Sequence, residues 1–422
     1  MENIYDWAVL WEWVEIAARW THVITAIAWI GSSFYFIALD LGLRRGDDLP
    51  AGAHGEEWQV HGGGFYHIQK YLVAPARLPE HLIWFKWESY ATWLSGFAML
   101  VLVYYLGADL YLIDPAVMDL ATWQAVGLSL ASLGFGWLAY TTLCRVFVNA
   151  NQTALMVALF ALLVAMAWGY TQVFTGRAAL IHLGAFTATI MSANVFMVII
   201  PNQKIVVADL KAGRTPDAKY GKIAKQRSTH NNYLTLPVLF LMLSNHYPLV
   251  FATQYNWLIA SLVFLMGVTI RHWFNTRHAK AGNPHWTWAV TVILFLIIAW
   301  LSTAPMRAVP EGGEEAALSP ATLSPAALTY ASAEGFDDVV SIVQGRCSMC
   351  HAAEPGWERM YWPPKGVVLE TPAQIAHEAR RIYMQAGLTH AMPPANLSYI
   401  EPAERAAIVK WFRAAGQGGT EG

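Results

Sequence analysis

Cys347-Ser348-Met349-Cys350-His351 is the stretch whose residue types and spacing say most about chemistry. Two cysteines separated by two residues, with histidine directly after the second, form the attachment signature of a c-type haem. The thiols add across the vinyl groups of the macrocycle, and the histidine at the same edge becomes the proximal iron ligand. Further on, Met392-Pro393-Pro394 offers a thioether where a distal ligand is expected. A His/Met pair raises the potential relative to bis-histidine ligation, which makes such a module an electron acceptor. A zinc or redox CxxC is the competing reading, but the zinc version lacks a second ligand pair at the required spacing. For Met392 the alternative is core packing.

The elements that must carry this module differ from it in composition. The 422 residues are 56% hydrophobic and only 13% charged, against a charged share of roughly 25% in soluble domains. A net charge of −2 gives no basicity for nucleic acid to meet. Apolar runs long enough to cross a bilayer as helices occupy about 14–39, 84–106, 122–144, 153–174, 178–200, 232–250, 254–274 and 285–304. Residues 305–333, rich in Ala, Pro, Ser, Gly and Glu, read as a flexible linker, and 334–422 return to soluble-like amphipathic patterning. The expected organisation is an eight-span membrane domain over 1–304, the linker, and a C-terminal domain.

Lysine and arginine set the orientation, because they collect in cytoplasmic connections. Arg44, Arg45, Lys70 and Arg77 lie between spans one and two. Lys204, Lys211, Arg214, Lys219, Lys222, Lys225 and Arg227 lie between five and six, and Arg277 and Lys280 between seven and eight. Residues 107–121 and 247–253 carry none. Both termini are therefore expected on the periplasmic side of a bacterial inner membrane, where c-type haem is attached.

Ionisable side chains inside a span are costly and default to functional candidates. His22, His182 and His246 all fall in the outer half of their spans, the side from which the C-terminal domain hangs. Imidazoles on facing helices can hold a b-type haem in a bundle core; the plainer alternative is a hydrogen bond to backbone or hydroxyl. A second polar set gathers at the cytoplasmic side. It includes His61-Gly62-Gly63-Gly64-Phe65-Tyr66-His67 with Lys70, then Trp84-Phe85-Lys86-Trp87-Glu88, and Arg227-Ser228-Thr229-His230-Asn231-Asn232-Tyr233. The glycines let backbone approach an anion closely, or simply make a flexible turn. Aromatic faces, cations and amides together suit a pocket for a flat, polar anion.

The HGGGFY segment, WFKWESYATWLSGF, NVFMVIIPNQK and RSTHNNYLTLPVLFLMLSNHYP, ahead of a CxxCH tail, resemble the bacterial membrane-bound urate oxidase (urate hydroxylase) family. The tail resembles a class I cytochrome c domain. The implied fold is all-α: an eight-helix transmembrane bundle followed by a periplasmic class I cytochrome c domain. The implied reaction is oxidation of urate to 5-hydroxyisourate, with electrons passing to a terminal cytochrome oxidase or a soluble cytochrome c. On these resemblances Cys347 and Cys350 anchor haem c, and His351 and Met392 are its axial ligands. His61, His67 or His230 is the expected base or substrate ligand, and Lys70, Lys86, Arg227 and Asn231 are the expected substrate contacts. His22, His182 and His246 stay candidates for one or more haem b groups. Membrane lipid is the expected surrounding, and homo-oligomerisation stays open. A membrane-anchored electron-transfer subunit without its own small substrate is the alternative, and it leaves the polar cytoplasmic set without a purpose.

Overall fold

A computed structural model describes the chain apart from residues 1–6, 47, 72–77, 116, 148–150, 304–322, 358–359, 361–362, 389–390 and 418–422. Each of the eight apolar runs is helical, because apolar side chains leave the backbone nothing to bond but itself. α1 is Trp7–Gly42. α2 runs from Trp87–Met99 into a π-helical turn, Leu100–Tyr105. α3 is Thr122–Val146 and α4 is Gln152–Thr171. α5 covers Gly176–Ala193, a π-helical turn at Asn194–Ile199, and Ile200–Lys211. α6 is Ala218–Ser244, α7 is Asn256–His278 and α8 is Trp286–Ser302. Five of these helices are long and apolar enough to cross a membrane: Val9–Gly42, Thr122–Val146, Gln152–Thr171, Gly176–Lys211 and Asn256–His278. Trp286–Ser302 is apolar but shorter. α6 is diluted by Lys219, Lys222, Lys225 and Arg227 in its first half.

Caps and stripes explain the helix boundaries and faces. Asn151, Thr175 and Asp217 cap α4, α5 and α6 by accepting from Thr153, Ala178 and Lys219 backbone N–H groups, which satisfies donors that a helix start leaves unpaired. On α3 the buried residues are Ala125, Ser129, Leu133, Gly136, Tyr140 and Cys144, and on α4 Leu155, Leu159, Leu163, Ala167 and Tyr170. Both sets follow the i, i+3/i+4 rule for one helix face. Outward, Trp20, Ile24 and Ile27 of α1 and Val292, Phe295, Leu296 and Trp300 of α8 are exposed. An apolar surface of this kind is compatible with membrane association and out of place in water.

The expectation of an all-α chain needs one correction. Ala53–His61 (β1) and Gly64–Tyr71 (β2) pair antiparallel, with His61 opposite Gly64. Gly62 and Gly63, at φ 59° and 81°, make the two-residue turn, and positive φ at both central positions is what a tight hairpin requires. The glycine triplet thus serves a turn. The hairpin sits at one end of the bundle, tied to α1 by the Arg44–Glu56 bridge and by Tyr35 donating to Gln59 at 2.6 Å.

The stretch read as a linker, 305–333, divides. Residues 304–322 lie outside those described, while Pro325–Ala331 (α9) is helical and packs Ala327 into the C-terminal core. That core adds Phe336–Arg346 (α10), Pro372–His377 (α11) and Pro402–Gln417 (α12). Trp411 is buried, donates to the Tyr330 carbonyl at 2.9 Å and stacks with Phe336. Arg405 donates to the Ala386 and Met392 carbonyls, which fixes the segment carrying Met392. The C-terminal unit rests on the bundle end opposite the hairpin. Arg380 meets Glu12 at 3.4 Å and Glu15 at 3.7 Å, Arg177 donates to the Lys365 carbonyl at 3.1 Å, and Arg381 lies over the Tyr111 ring.

Two tests follow from this packing. Pro237 has no N–H and its ring breaks the α6 ladder. Gly267 of α7 makes room for that ring, since a Cβ there would stand 2.6 Å from Pro237 Cδ. Gly267→Ala is expected to destabilise the bundle by about 1–3 kcal/mol, read as a lower melting temperature in detergent. In the C-terminal unit, burial works to raise the Glu404 carboxyl, but the Glu401 N–H and Arg346 outweigh it and hold it below its ordinary range. The stabilisation is complete above the unfolded-state pKa and is lost as pH falls through the folded one. Glu404→Gln should lower the melting temperature at neutral pH, and the gap from wild type should close in acid.

Candidate functional site

Three groups of side chains can do chemistry, and they lie at different depths of the molecule. The deepest is a buried polar network in the hairpin-side half of the bundle. Pro201 cannot donate, so α5 widens ahead of it into the π turn, a device common at functional positions. That turn begins at Asn194, which is fully buried. The Asn194 amide donates to the Tyr140 hydroxyl at 3.1 Å and to Asn231 Oδ1 at 2.9 Å. Tyr140 Oη lies 2.8 Å from His230 Nδ1. The hydroxyl keeps a proton that it can give to Nδ1, an exchange that would leave the imidazole proton on Nε2. Asn231 also donates to the Met191 carbonyl at 2.9 Å.

Two guanidiniums are built into this region. Arg227 is 5% exposed, donates to Asn194 Oδ1 at 3.3 Å and lies 4.7 Å from the Tyr140 ring centre. Its Nε has no partner, and neither does Nδ2 of the adjacent Asn232. Arg271, also 5% exposed, donates to Asn232 and Asn275 and lies 4.0 Å from the Phe34 ring centre. Among the described residues no carboxylate forms an ion pair with either arginine. Buried charge without a counter-charge is costly, which makes this region a candidate anion site.

The second group lines a partly open cavity of about 390 Å³ between α1, α2, α5 and α6. Its wall is mainly apolar, with Trp93, Ala188 and Val238 typical. It runs along α6 from Asn231 to His246, about 20 Å at 1.5 Å per residue. Asn231 joins it to the polar network. His22 enters from α1, and its Nδ1 lies 3.1 Å from the Thr92 carbonyl and 3.1 Å from Ser95 Oγ. His246 and Arg19 stand at the end nearest the C-terminal unit. His182 is absent from this wall: it is fully buried among Tyr104, Tyr170 and Phe174, with Nδ1 donating to the Ala178 carbonyl at 2.8 Å.

The third group is in the C-terminal unit. Ser348–His351 forms one helical turn after α10, with Cys347 as its first flank. His351 Nδ1 donates to the Val367 carbonyl at 2.9 Å, which orients the ring and leaves Nε2 for a metal. Cys347 and Met392 pack against the same core. Burial, reinforced by Cys350, pushes the Cys347 thiol up to about 11, the opposite of a nucleophilic redox cysteine. Among the described residues no group of three or more His, Cys, Asp or Glu forms a metal-ion site. The residues present fit a covalently attached haem better than a zinc or thiol redox centre.

Of the expected substrate residues, the fold brings together His230, Arg227 and Asn231. His61 and His67 are exposed on the hairpin, where His67 stacks on Trp58 and bonds Glu56 at 2.6 Å. Lys70 pairs with Asp40, and Lys86 stands over Trp87 at the start of α2. None of these four shares a hydrogen bond or ion pair with the network. Tyr140 and Asn194 escaped the sequence reading, although a lone asparagine in Ser192-Ala193-Asn194-Val195-Phe196 is the kind of intramembrane polar residue that marks a site.

Tyr140→Phe removes the hydroxyl shared by Asn194 and His230. The cost should be about 1–3 kcal/mol, measured by thermal unfolding, with His230→Ala in the Phe background adding less than it does alone. The urate oxidase N-terminal family model matches residues 8–302 of the chain. No curated protein and no solved structure matches it.

Proposed function

Because the chain belongs to the urate oxidase N-terminal family, we propose that it oxidises urate to 5-hydroxyisourate as a membrane protein and passes the electrons to a respiratory acceptor. Family membership brings oxidoreductase chemistry on urate. The membrane setting, the acceptor and the site below are our reading. The observation that carries it is the pair of buried arginines without carboxylate partners, set in a cluster of amides beside a tyrosine–histidine pair.

Urate is planar and carries about one negative charge at neutral pH. Arg227 and Arg271 neutralise that charge, and the free Arg227 Nε and Asn232 Nδ2 are donors awaiting an acceptor. Asn194 and Asn231 present amide faces of the kind that read imide edges. Urate plus water gives 5-hydroxyisourate, two protons and two electrons. Tyr140 can take a proton from the substrate while its own passes to His230 Nδ1, a relay suited to histidine near neutral pH. Burial of the network excludes bulk water from these transfers.

At the other end, Cys347 and Cys350 would hold the haem c vinyl carbons, and His351 and Met392 its iron. Bound there, that group supplies one-electron acceptance. The C-terminal unit sits at the bundle end that also carries the start of α1, while the lysine-rich α5–α6 connection lies at the opposite end. This agrees with both termini periplasmic, next to a terminal oxidase or a soluble cytochrome c.

Anaerobic addition of urate to the purified protein should reduce the c-type absorption band; no reduction at any urate concentration sinks the proposal. Arg227→Gln should weaken urate binding by about 2–5 kcal/mol, seen as a raised KM. It should also melt no earlier than wild type without ligand, since it removes an uncompensated charge. His351→Ala should lose turnover with an oxidase. Surviving turnover that forms peroxide would contradict electron exit through the C-terminal unit.

A further inference from the structure

The cavity between α1, α2, α5 and α6 is too apolar for a purine, whose polar edges would go unpaired there. It is also far larger than a gap in packing, at about 390 Å³, and it opens beside the exposed Val23, Ile27 and Leu243. We propose that this cavity seats a non-covalent b-type haem with His22 as its iron ligand. The assignment stands whatever the substrate is.

The protonation of His22 selects among large apolar occupants. Its Nδ1 faces the Thr92 carbonyl and Ser95 Oγ, both at 3.1 Å, and the Ser95 proton is given to the Ala91 carbonyl at 2.6 Å. A carbonyl only accepts, so Nδ1 carries the hydrogen and Nε2 keeps a bare lone pair. At His22 itself a quinone carbonyl would find no donor, because Nε2 presents a lone pair. A lipid tail needs neither. A lone pair held at fixed orientation by a bond at the opposite nitrogen is what a metal centre uses.

The backbone also makes room for that ring. A Cβ on Gly96 would stand 2.8 Å from His22 Cε1 and 3.2 Å from Nδ1, so the imidazole lies directly against α2. The glycine, Ser95 and Thr92 together fix its plane. Haem b carries two propionates as well, and the cavity supplies cations at one end only. Arg19 and His246 line that end, and Arg177 and Lys365 are close enough to act electrostatically on His246. The carboxylates would therefore point toward the docked C-terminal unit, and the apolar edge toward Met191 and Asn231. His182, sealed behind the wall, takes no part.

Purified full-length protein should yield about one acid–acetone-extractable protohaem per chain, in addition to the covalent haem retained by the polypeptide. His22→Ala should lower the extractable haem at least about tenfold and leave the covalent haem unchanged, which also reports that the chain has folded. Gly96→Val keeps the histidine but displaces its ring, and covers the case in which His22→Ala does not accumulate. It should shift the b-type band and weaken haem retention. Wild-type protein without extractable haem, or with only quinone or lipid in the extract, overturns the proposal. Full haem content with an unchanged spectrum in the variants overturns it equally.

Discussion

A guanidinium cannot shed its proton at any pH this protein meets, and the bundle encloses two of them away from water. Much of the interior is arranged to make that tolerable. Arg227 spreads its charge over the Tyr140 ring and the Asn194 carbonyl oxygen, and Arg271 over Phe34, Asn232 and Asn275. Asn194 can reach both Tyr140 and Asn231 from the π turn of α5, and Asn231 is held in turn by the Met191 carbonyl. The amide oxygens and nitrogens of Asn194 and Asn231 are all committed, while Asn232 Nδ2 is left without a partner.

The molecule is graded along its long axis. The hairpin-side half holds the amide and guanidinium network, the middle is an apolar cavity with a single oriented imidazole, and the far end is cationic where the C-terminal unit rests. Asn231 faces both the network and the cavity, and His246 stands between the cavity and Lys365. The grading keeps proton-bearing groups at one end and separates them from the C-terminal thiols by an apolar layer. On the proposed function, protons and electrons would leave by different ends of the same protein.

The helices were legible because an apolar run of about twenty residues has few other options. Their ends were less so. α6 begins at Ala218, well before the apolar run at 232, because a capped, lysine-rich segment can be helical without being apolar. The hairpin was not legible because Gly62-Gly63-Gly64 fits an anion cradle or a flexible turn alike, and the pairing of His61 with Gly64 and Val60 with Phe65 is set only in the fold. In the site, Arg227, His230 and Asn231 stood out by their density in one segment. Tyr140 and Asn194 did not, since each is a single polar residue in an apolar helix and their meeting is a tertiary fact. The same limit applies to the histidines. His22 and His182 read alike in sequence, and only the fold sends one to the cavity wall and the other into an aromatic enclosure.

The docked C-terminal unit is joined covalently to the bundle it rests on, and among the described residues it meets the bundle through Arg380 with Glu12 and Glu15, Arg381 with Tyr111, and Arg177 with the Lys365 carbonyl. Contacts so sparse would not hold two separate proteins together in dilute solution. Tethering changes the standard of comparison, because a linked partner sees an effective concentration on the order of millimolar. Occupancy of the docked state is then independent of expression level and of the area of membrane available. A soluble protein wanting the same face must outcompete a neighbour that never diffuses away. A weak interface is therefore sufficient.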